Sequence, residues 1–77
     1  MVSGSQIRAA RGLLGISAAE LAKKAGIGWA TLQRIERSDA VTSARLKTLE
    51  RVIQALEAEG IEFLGDPINS PGVIRKS

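Results

Sequence analysis

The stretch "ISAAELAKKAGIGWATLQRIE", residues 16–36, decides the fold. Ser17 followed three residues later by Glu20 has the form of a capping box, in which the hydroxyl accepts the Glu20 N–H and the carboxylate accepts the Ser17 N–H, so a helix starts here. Leu21, Ala22 and Ala25 follow at helical spacing and form its buried stripe. Gly26 ends it, because glycine adopts the left-handed conformation past a helix end without a Cβ penalty, and the chain turns within about three residues. Gly28 then serves as N-cap of a second helix, with Ile27 before it and Leu32 after it spaced for a hydrophobic staple. In that helix Leu32 and Ile35 mark the buried side. On a helical wheel Ala30, Gln33, Arg34 and Arg37 cover the outward arc, with Trp29 on its flank.

Working outward, Ile7, Ala10 and Leu14 recur at helical spacing on the N-terminal side and predict a helix over Ser5 to Leu14, ended by Gly15. On the C-terminal side Ser38 to Ser43 is a polar connection. Leu46, Leu49, Val52, Ile53 and Leu56 then predict a long amphipathic helix from about Ala44 to Glu59, closed by Gly60. After Gly60 the composition changes: "IEFL" and "GVIR" are short β-prone runs separated by "GDPINSP", whose two prolines and asparagine oppose helix. A hairpin is the expected form. A lone two-stranded hairpin is marginal in water, so these strands should pack on a helix or pair with those of a second subunit. The division is a helix-turn-helix domain over residues 1–60 and a β-type extension over 61–77, the latter a candidate dimerisation element.

The chain has 77 residues, one small domain near the lower size at which a chain folds alone. It has no cysteine and no histidine, so neither a disulfide nor a thiolate or imidazole metal site supports the core. No uncharged run approaches the ~20 residues of a membrane span, and the first residues lack the apolar core of a signal peptide, so a soluble, cytoplasmic protein is expected. The formal charge is +3, unevenly spread: residues 1–51 carry nine Lys or Arg against four Asp or Glu, residues 52–77 two against four. A basic front half with an acidic tail points the front at a polyanion.

Two short helices joined by a tight glycine turn, the second exposing Arg34 and Arg37, fit a helix-turn-helix that places its second helix in the DNA major groove. The residues Ile7, Arg11, Gly15, Ile16, Ser17, Glu20, Leu21, Ala22, Gly26, Ile27, Leu32, Ile35 and Glu36 also stand, without a gap, where the sequence resembles the Cro and phage-repressor (XRE) family of helix-turn-helix regulators. The resemblance covers about residues 5–57. It implies an all-α, five-helix lambda-repressor-like domain, here with a short C-terminal β-hairpin or strand extension. It also implies a transcriptional regulator, a repressor, that binds double-stranded DNA as a homodimer on a near-palindromic site.

Roles carry over where positions match. Ser17 resembles the residue that presents its helix N-terminus to a DNA phosphate. Trp29, Ala30 and Arg34 resemble positions that read bases, with Thr31, Gln33 and Arg37 beside them; a guanidinium can bond guanine O6 and N7 together. Arg11 and Glu36 resemble a partly buried structural ion pair and not a DNA contact. Arg8, Lys23 and Lys24 read as a solvated basic face. The chain also departs from the family: the glutamine usual after the first cap is Ala18, and the usual Ser or Thr cap of the recognition helix is Gly28. The loop "RSDAVTSAR" is about two residues longer than the family's, contains Asp39, and offers only Arg37 and Arg45 to phosphates. Trp29 is left with two readings, packing on Ala18 or contact with DNA.

An enzyme is disfavoured: there is no histidine, cysteine or tyrosine, and no glycine-rich phosphate loop or metal-ligand cluster, so no catalytic residue, metal or cofactor is expected. Trp29 and Phe63, the only aromatics, cannot form a base-stacking platform for RNA. The serious rival is a protein-interaction module on the same scaffold, such as an antitoxin whose tail clasps a toxin. Dimerisation is expected through the C-terminal extension and the last helix, with no membrane involved.

Overall fold

The computed structural model describes residues 2–37, 46–66 and 69–76. Four helices and a hairpin follow one another: α1 (Gly4–Leu14), α2 (Ala18–Ala25), α3 (Trp29–Glu36), α4 (Leu46–Ala58), β1 (Ile61–Asp66) and β2 (Ser70–Arg75). Helix boundaries follow local hydrogen bonds. α1 starts one residue before the expected Ser5 because Ser3 is its N-cap, and Ser3 and Gln6 form a second capping box that the spacing Ser-x-x-Gln already encodes. α2 starts from the Ser17–Glu20 box.

The expected five helices are not found: the described residues hold four. After α4 the chain turns at Gly60, φ 91°, and runs into strands, as the β-prone runs "IEFL" and "GVIR" predict. The connection Ser38–Ser43, with Ala44, Asp39 and Arg45, lies outside the described residues. Leu46 is a second correction. It was expected on the buried stripe of α4, yet it is 67 % exposed: it is the first residue of the helix, and burial begins one turn on, at Leu49.

The core gathers Ile7 and Ala10 of α1, Leu21, Ala22 and Ala25 of α2, Leu32 and Ile35 of α3, and Leu49, Val52 and Leu56 of α4, with Val2 and Ile61 closing it. β1 and β2 pair antiparallel within the chain, Phe63 opposite Val73 and Leu64 opposite Gly72. Phe63 and Val73 pack their shared face against the core. The hairpin is not left to its own marginal stability. Buried Gln6 donates from Nε2 to the carbonyls of both Leu64 (3.1 Å) and Gly72 (2.9 Å), so one α1 amide fastens the two strands at a single rung. Glycine is required at position 65, where φ is 74° and a Cβ would run into the Ser70 carbonyl. Among the described residues no helix is long and apolar enough to cross a membrane.

Candidate DNA-binding face

The helix-turn-helix is built from one repeated device. α1 ends at Gly15 and α2 at Gly26, each with φ 69° in the left-handed region. Each end closes the same way: Ile16 N–H donates to the Arg11 carbonyl (3.2 Å) and Ile27 N–H to the Ala22 carbonyl (3.0 Å), five residues back. "Gly-Ile-Ser" at 15–17 and "Gly-Ile-Gly" at 26–28 therefore turn the chain in the same manner. They differ in the next cap. Ser17 Oγ accepts from Glu20 N–H at 3.1 Å, and Glu20 Oε1 accepts from Ser17 N–H at 3.2 Å. Gly28 has the same extended N-cap backbone but no side-chain cap.

Arg11 and Glu36 clamp α1 to the end of α3. The carboxylate, with 4 % of its side chain exposed, accepts Arg11 Nη2 at 2.8 Å and Nε at 2.9 Å, a two-pronged contact that matches guanidinium to carboxylate. Arg11 also donates to the Ile16 carbonyl at 3.3 Å. The hydrogen bond to Glu36 raises the Arg11 pKa despite partial burial, so the guanidinium is held protonated more firmly than usual.

Other arginines serve helix ends. Arg8, read from sequence as solvated, donates to the Glu36 backbone carbonyl at the end of α3. Arg51 of α4 donates to the Gly26 carbonyl just past α2 (3.4 Å), and Arg75 of β2 to the Leu13 carbonyl near the end of α1 (3.2 Å). Each places a cation where the helix dipole is negative. These roles were not legible in the chain, because the acceptors lie 25 to 62 residues away.

What remains outward on α3 is short. Trp29 is 58 % exposed, so the core does not consume the indole. Gly28, Ala30, Arg34 and Arg37 are exposed, and Thr31 and Gln33 are half-buried. Neither the Arg34 nor the Arg37 side chain bonds to another described residue. On α2, Ser17 is exposed at the helix start, while Ala18 is half-buried against the core. Lys23 and Lys24 are exposed near the other end of α2. Arg45 lies outside the described residues.

The helix-turn-helix family profile matches residues 7–63, most of the chain, from within α1 through α4 into the first half of β1. The chain belongs to the Cro/XRE helix-turn-helix family. No curated protein and no solved structure gives a significant match. Membership makes the chain a DNA-binding helix-turn-helix regulator, of a family whose work is regulatory binding and not usually catalysis.

Proposed function

We propose that this family member is a cytoplasmic, sequence-specific transcriptional repressor that lays α3 in the major groove of double-stranded DNA. In this reading Arg34 bonds a guanine edge and Arg37 and Arg45 meet phosphates. Trp29, Ala30, Thr31 and Gln33 line the base-facing side, while Ser17, Ala18 and Gly28 approach the backbone at the helix starts. The observation that carries it is the outer face of α3. Its two arginines have no partner in the described protein while the arginines of α1 are tied to Glu36, so the cations left over stand where a recognition helix meets DNA.

One such face covers half of a typical operator, and affinity per subunit is limited by the two missing polar contacts at Ala18 and Gly28. The protein therefore acts as a homodimer through its C-terminal extension and last helix. Exposed Ile74, on the hairpin's outer face, supports that surface.

Selection of bound duplexes from a random pool tests both parts at once. A near-palindrome with half-sites about one helical turn, ~34 Å, apart is the expected result, with binding that weakens steeply as salt rises. Arg34→Ala should cost ~1–3 kcal/mol of affinity and relax one base position. An asymmetric single half-site would remove the dimer. The exposed indole of Trp29 favours a second reading, an interaction module such as an antitoxin, and failure to enrich any motif would select it.

A further inference from the structure

α3 presents two chemically different halves on its exposed side. The exposed residues of its first turn are apolar: Trp29, 58 % exposed, stands beside exposed Ala30, Thr31 is half-buried, and Gly28 ahead of them has no side chain. Further along the helix the exposed groups are Arg34 and Arg37. Ala30, Arg34 and Arg37 are spaced four and three apart, so the apolar start and the cationic end belong to one continuous stripe. A duplex fits that combination, with cations for its phosphates and guanines and an apolar patch for something in the groove that is not polar.

The major groove offers one such group on unmodified bases. Guanine, adenine and cytosine expose hydrogen-bond donors or acceptors there, whereas thymine adds a C5-methyl beside its O4. An apolar side chain covering a polar edge strips its water and returns no bond, but against a methyl it gains contact. The first turn is also the part of a recognition helix that reaches base edges.

We infer that Trp29 is a specificity-determining residue that selects thymine, packing its indole on the C5-methyl at the base positions met by the first turn of α3. This rests on the DNA-binding reading above and sharpens it from a class of ligand to a base. Arg34 and Arg37 supply charge and polar readout further along the groove; Trp29 supplies discrimination by shape and dryness.

The test uses the full chain and the duplex motif selected from a random pool. Each thymine is replaced in turn by deoxyuridine, which removes the methyl and leaves every polar group in place. At one or two positions per half-site the affinity should fall about fourfold, the factor that burial of one methyl corresponds to. Trp29→Ala and Trp29→Gln should bind the thymine and uridine duplexes equally while keeping wild-type helix content by circular dichroism.

Two results would overturn the inference while leaving DNA binding intact: wild-type affinity indifferent to uridine at every position, or both variants retaining the wild-type discrimination. If no motif is enriched and duplex binding does not depend on salt, the DNA reading falls and this inference falls with it, leaving a protein partner as the indole's occupant.

Discussion

The turns that follow α1 and α2 are nearly the same in sequence and backbone, yet one is saturated and the other is open. At Gly15–Ser17 the chain is pinned on every side. Arg11 holds the Ile16 carbonyl and grips Glu36 across the core, Arg75 reaches the end of α1, and Ser17 exchanges two hydrogen bonds with Glu20. At Gly26–Gly28 the backbone repeats the turn, but among the described residues the side-chain hydrogen bond it accepts comes from the exposed Arg51, and the α3 N-terminus has no side-chain cap. A helix start without a capping side chain leaves donors to water. The protein keeps its unspent hydrogen-bonding and apolar capacity at the second turn, where the proposed recognition helix begins.

Breaking the saturated turn should therefore cost the most. Arg11→Ala leaves the Glu36 carboxylate buried without its cation, and urea unfolding should show a loss of ~3 kcal/mol or more, a large share of the stability of a small domain. A loss within the range of surface substitutions would mean that the clamp is not what joins α1 to α3. Ser17→Ala removes one hydroxyl from the same turn and should cost ~1 kcal/mol. In a domain of this size that lowers the melting temperature by about 4–8 °C.

The open turn should respond with the opposite sign. Gly28 has ordinary N-cap angles, φ −71° and ψ 148°, and an added Cβ would meet only Thr31 Oγ1 at 3.8 Å. Gly28→Ser should therefore fit and raise stability by a few tenths of a kcal/mol, the gain that serine holds over glycine at this position. A melting temperature that falls instead would show that the second turn needs its bare backbone for the fold itself.

Much of the scaffold was legible because its signals are local. Ser17 and Glu20 lie three residues apart, and Gly26 sits where α2's last carbonyls need an N–H from just beyond, so cap chemistry places these boundaries to within a residue. Ser3 and Gln6 carry the same signature and could have placed the start of α1. The stripe Leu21, Ala22, Leu32 and Ile35 reads as core from periodicity alone. The candidate face on α3 was legible for the same reason in reverse, as the arc that the stripe leaves over.

The failures share a cause. Arg8 reads like any exposed cation, but its carbonyl partner is 28 residues on. Leu46 fits the apolar repeat of α4, yet it is exposed at the first position of that helix, and burial begins only at Leu49. Gln6 gives no hint of the two strand carbonyls it holds about 60 residues away. By itself the sequence determined where helices start and stop and which stripe of each is apolar, since those depend on contacts within about five residues. Tertiary structure alone decided which of the described arginines were bound within the protein and which were left facing outward, because a cation's role is set by the acceptor that folding brings to it.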